Sequence, residues 1–111
     1  LLVGDASVRD VRRVLEALVD LGDTLVVVSA NLSHDVELER ARELDEESEA
    51  AIVGGEPDTI SREHSHARIA LRGLVELAVE RGWTADVLWR DRSPPDETGH
   101  VQGFGAFRFV R

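Results

Sequence analysis

Two short stretches hold the residues most able to do chemistry. The first is "SANLSHD", residues 29–35, with Asn31, Ser33, His34 and Asp35 in close succession. The second is "EHSHAR", residues 63–68, with Glu63, His64 and His66. An imidazole moves protons near neutral pH or binds a metal. Two histidines one residue apart project to opposite sides of an extended segment, so His64 and His66 serve one ion only where the chain turns. At a helix start the backbone dipole disfavours a second positive charge, leaving His66 neutral and able to ligate. Plainer readings stand beside these. Ser33 or Asp35 is a routine helix cap, and Asn31 is a common turn residue. His64 and His66 also fit a solvated loop, and His100, among Pro95, Asp96 and Gly99, reads as surface.

The elements that must position these residues follow from apolar spacing. Val8, Val11, Val14, Leu15, Leu18, Val19 and Leu21 recur at helical spacing, with Asp5 or Ser7 to cap the start and Gly22 to stop it. "TLVVVSA", residues 24–30, is short, β-branched and flanked by turn residues, so it reads as a strand. A second helix is expected from about Val36 to Val53, with Leu38, Ala41, Leu44, Ser48, Ala51 and Ile52 buried, ending at Gly54-Gly55. A third runs from about His66 to Arg81. "WTADVLWR" and "VQGFGAFRFV" read as strands on either side of the loop "DRSPPDETGH". "LLVG", residues 1–4, reads as the end of a strand entered part-way, which makes the chain a fragment of a longer protein; a short native strand is the alternative. The order β-α-β-α-α-β-β implies an α/β fold: a three-layer, mostly parallel sheet with flanking helices, and an incomplete half of a larger domain. In such sheets sites gather beyond the carboxyl ends of the strands, where "SANLSHD" falls.

Composition narrows the function. The 111 residues, 42% hydrophobic and 32% charged, suit one globular domain over 1–111. With no cysteine there is no disulfide and no thiolate ligand. A net charge of −9 repels phosphate backbones, so no nucleic-acid partner is expected. No apolar run reaches the ~20 residues that span a bilayer, so no membrane partner is expected and a cytoplasmic location is the default. Phosphate-ester hydrolysis is a weaker option, since the sequence has no glycine-rich phosphate loop and no paired-carboxylate motif.

The motifs in order, "VGDAS", "DTLVVVSANLSHD", Leu44-Asp45, Arg72-Gly73-Leu74 and "GFGAFRF", resemble the carboxyl-terminal half of the Memo-like proteins (AmmeMemoRadiSam system protein B), which are similar to class III extradiol dioxygenases. The resemblance spans nearly the whole chain. The family's Ser-Ser-Asp-Leu-Ser-His reads here as Ser29, Ala30, Asn31, Leu32, Ser33 and His34, and its cysteine position carries His66. The resemblance implies a parent with a non-haem metal, iron, copper or zinc, and oxidoreductase-like chemistry. His34 and Asn31 then correspond to catalytic positions, and His66 with His34 to metal ligands. Asn31 replaces an aspartate, and the ligands of the amino half are absent, so the chain alone is expected to bind no metal tightly and to be inactive. Its expected partner is the missing amino-terminal half or a second copy, with residues 1–4 near the contact. The alternative is a diverged, non-catalytic α/β scaffold. The metal reading requires the imidazoles of His34 and His66 to converge in one cleft.

Overall fold

Helix α1, Val8–Asp20, starts at a capping box: the Ser7 hydroxyl accepts from the Asp10 N–H, and the Asp10 carboxylate accepts from the Ser7 N–H. Such a cap contributes about 1 kcal/mol. Gly22, at φ 68°, follows the helix end, where a residue with a side chain would be strained. The computed structural model describes residues 5–22, 26–29, 31–60 and 68–111. The expected strand and contact at residues 1–4 lie outside these, as do the edges of the expected strand at 24–30 and the group Glu63, His64 and His66.

The remaining elements are β1, Ser33–Glu37; α2, Leu38–Gly54; a 3-10 turn, Pro57–Thr59; α3, Arg68–Arg81; β2, Thr84–Arg92; and β3, His100–Val110. The α/β class holds. The sheet does not run parallel as expected: it has three strands in the order β1-β3-β2, both pairings antiparallel. The connection between β2 and β3, residues 93–99, explains part of this. It is shorter than the dozen residues a parallel crossover needs, so β3 must fold straight back on β2. Gly99, at φ 82°, completes that turn.

Of the second expected strand, residues 24–30, only 26–29 are described. Residues 26–29 have no regular structure, and the pairing residues lie further on, at Ser33–Glu37. Asp35, at φ 53°, sits within a register shift between Ser33 and Val36. The cap of α2 is therefore neither Ser33 nor Asp35 but Glu37, whose side chain makes no capping bond.

Two apolar clusters hold the elements together. Leu32, Ala51, Ile52, Ile60 and Val75 form one, joined by Leu71, Phe107 and Phe109, where α2 and α3 meet the sheet. Val11, Leu15, Ala70 and Leu77 form the other, where α1 meets α3. Gly73 permits that second contact: a Cβ there would stand 3.1 Å from Val11 Cγ1. Each leucine or isoleucine so buried contributes about 1.5–3 kcal/mol. Arg81 of α3 also reaches Asp20 and Glu16 of α1, exposed pairs that add little. No described helix is long and apolar enough to cross a membrane.

Candidate functional site

The first site lies where residue 31 enters β1. The Asn31 amide donates to Gln102 Oε1 at 3.0 Å, and its Nδ2 stands 3.4 Å from His34 Nδ1. An amide nitrogen carries two hydrogens, so one Asn31 can serve both partners. In that arrangement His34 Nδ1 is the acceptor. One residue on, Asp35 Oδ1 is 2.9 Å from His100 Nδ1, both groups being solvent-accessible. His100, read from sequence as plain surface, is thus paired with a residue of the strand-end segment. The loop that presents it is tied by Asp96, whose carboxylate accepts from the Thr98 hydroxyl and from the Thr98 and His100 N–H groups. The Thr98 hydroxyl, then the His100 N–H, hold the Asp96 carboxyl below its ordinary range.

A second polar group lies beneath the sheet and centres on Gly103. Ser33 of β1 and Arg92 of β2 are both opposite Gly103 in register. Their side chains therefore leave the sheet on the face to which a Gly103 Cβ would point. Asp45 of α2 occupies that space: a Cβ on Gly103 would collide with its carboxylate. Asp45 is fully buried, and its Oδ2 accepts from Arg92 Nε at 2.8 Å. Asp45 Oδ1 and the buried hydroxyls of Ser33 and Ser48 have no hydrogen-bond partner among the described residues.

Beyond Gly103 the packing opens. A cavity of about 850 Å³ runs between residues 26–29 and residues 104–109 of β3. Val19, Leu71, Leu74 and Trp83 close its far wall, and Asn31 forms part of its rim. Its size is that of a ligand pocket. Arg111 lies over the Trp83 ring, 5.8 Å from the ring centre.

The structure brings Asn31 and His34 together. His66 is outside the described residues, so the convergence of the two imidazoles is neither placed nor displaced. Among the described residues no three histidine, aspartate or glutamate side chains gather as a metal-holding group. Sequence reasoning assigned no role to Arg92 or Gln102, and matched Asp45 only as half of a motif. A signal for Asp45 was present: it falls within the stripe Ala41, Leu44, Ser48 and Ile52, where a carboxylate is costly unless partnered. Arg92 and Gln102 had none, because their roles depend on strand register.

Comparison with protein-family models, with curated proteins and with solved structures finds no match to this chain.

Proposed function

We propose that the chain is the carboxyl-terminal half of a Memo-like protein, related to the class III extradiol dioxygenases, and that Asn31 and His34 belong to its reaction site. The observation that carries this reading is the meeting of three separate motifs at one residue. Ser33 of the 29–34 segment pairs with Gly103, Asp45 of the Leu44-Asp45 pair packs on it, and Gly103 itself lies in the final motif. Segments that share one buried centre are the segments a common site would tie together.

In this reading Gln102 fixes Asn31, and Asn31 fixes the His34 ring through Nδ1. His34 then presents Nε2–H as a proton donor or substrate contact. The described residues alone do not form a ligand set for a metal, so no step is routed through one. A resident iron, copper or zinc would draw on His34, on His66 and on ligands from the amino half.

Two measurements test the reading. Nitrogen–proton correlation spectra of the chain are expected to show His34 as the Nε2–H tautomer, reverting towards a mixture in Asn31→Ala; an Nδ1–H tautomer removes the proposed role. Elemental analysis of the chain joined to its amino half, after loading with Fe(II), Cu(II) or Zn(II), is expected to find bound metal that is lost in His66→Ala. A protein that stays metal-free rejects the metal reading.

The second reading is a non-catalytic scaffold acting through partners. It is favoured by β2, an outer strand on which Leu88 and Trp89 are 58% and 55% exposed. Association that survives His34→Ala with His66→Ala but is abolished by Trp89→Lys would favour it over the first.

A further inference from the structure

The irregularity in β1 has a geometric consequence. Ser33 pairs with Gly103 and Val36 with Val101, so two residues, His34 and Asp35, stand opposite the single residue Gln102. That is a β-bulge, a device that re-aims side chains and recurs beside reaction sites. Asp35 adopts a left-handed backbone there, φ 53°. Residues with a side chain hold that conformation only where their surroundings enforce it.

The faces follow from alternation. Ser33 and Val101 are buried beneath the sheet, so His100 and Gln102 of β3 lie on the opposite, open face. The bonds agree. Asn31 joins Gln102 to His34, and Asp35 joins His100, so His34 and Asp35 both turn to that face. Glu37, opposite His100 in register, lies there as well. The bulge thus sets two imidazoles on one open surface, His34 opposite Gln102 and His100 two residues along from it. Diagonal neighbours across a ladder stand about 7–8 Å apart, within reach of one small molecule.

The two rings are held differently. A carboxylate accepts hydrogen bonds and donates none, so Asp35 Oδ1, 2.9 Å away, makes His100 Nδ1 the donor. The lone pair of the neutral His100 ring is then on Nε2. In the reading above His34 has the reverse arrangement: its Nδ1 accepts from Asn31, and its Nε2 carries the hydrogen. One ring offers a base where its neighbour offers an acid. The backbone of His100 is fixed too, its N–H donating to Asp96 Oδ1.

We propose that His100 is the general base of a two-histidine site, with His34 as its general acid and Asp35 as a positioning residue, acting on activated carbonyl compounds such as esters. His100 Nε2 takes a proton from water as the water oxygen bonds to the carbonyl carbon. The bond from that carbon to the leaving oxygen breaks, and His34 Nε2–H supplies the leaving oxygen's proton. A carboxylic acid and an alcohol result, and solvent returns the His100 proton to His34. This rests on His34 being a proton donor and not on the metal reading.

The test uses the full 111-residue chain and p-nitrophenyl acetate, with release of p-nitrophenol as the readout. The chain is expected to hydrolyse the ester at least about tenfold faster than an equal concentration of 4-methylimidazole, and His100→Gln to lower the rate at least about threefold. Asparagine also tolerates a left-handed backbone, so Asp35→Asn removes the carboxylate and keeps the bulge. It is expected to slow the reaction about two- to fivefold. The rate is expected to fall in D₂O, as proton transfer by a base requires. In nitrogen–proton correlation spectra of the unaltered chain, His100 is expected as the Nδ1–H tautomer. An Nε2–H tautomer at His100, a rate indifferent to His100→Gln or to Asp35→Asn, or equal rates in the two solvents would each overturn the proposal. Where His34 keeps its Nε2–H tautomer and the ester rate ignores His100, this inference alone falls; an Nδ1–H tautomer at His34 removes both.

Discussion

The two ends of β3 are built on opposite principles. At Gly103 there is no room for one more carbon, because Ser33, Asp45 and Arg92 converge on it from β1, α2 and β2. A few residues on, the same strand borders a cavity of about 850 Å³. Polar atoms concentrate where packing is tight, and apolar walls stand where it is open. The tight end fixes where Asn31 and His34 project.

Substitutions can break this contrast, and the largest effect is expected at Gly103. Gly103→Ala drives a methyl into the Asp45 carboxylate on a packed helix and is expected to cost about 3 kcal/mol, measured by urea denaturation. Little change there would mean that the tight end is looser than described. Asp45 and Arg92 come next. Arg92→Ala leaves a fully buried carboxylate without its partner, and each single alanine variant is expected to cost about 2–4 kcal/mol. The double variant is expected to fall short of the sum by about 1–3 kcal/mol; strict additivity would deny the pair.

At the open end the same kind of change is expected to be mild. Leu74→Phe, which adds volume to a cavity wall, is expected to shift stability by less than about 1 kcal/mol in either direction, against the loss at Gly103. A loss as large as that of Gly103→Ala would erase the difference between the two ends. The smallest effect is acidic. The folded Asp96 carboxyl titrates below its unfolded value, so its contribution is present above that value and lost as pH falls through the lower folded one. Amide exchange at Thr98 and His100 is expected to quicken only in that acid range, and Asp96→Asn is expected to remove the pH dependence. Quickening at neutral pH would show that Asp96 does not tie the loop.

Much of the secondary structure was legible. The stripe from Val8 to Leu21 with Ser7 before it marked α1, and the stripe of Leu44, Ser48 and Ile52 marked α2, because helical periodicity and capping are local. Both later strands stand where β-branched and aromatic residues flank the Pro-rich loop. Strand direction and the place of β1 were not legible. "TLVVVSA" has the stronger strand composition, yet its described residues 26–29 are irregular, with Val26 and Val28 packed against the α1–α3 cluster, and Ser33–Glu37 pairs with β3. Asn31 and His34 were legible as candidate site residues; Gln102, Arg92 and the Asp35–His100 contact were not, because each joins residues far apart in the chain.

The sequence by itself determined an α/β chain of helices punctuated by glycines, an acidic net charge, and a polar segment holding Asn31 and His34. Only the tertiary structure decided that the strands run antiparallel, that Asp45 fills the space over Gly103, and that a cavity lies beside β3. The division is physical. Periodicity and caps act over one or two helical turns, whereas register, burial and cavities arise from which distant segments exclude water together.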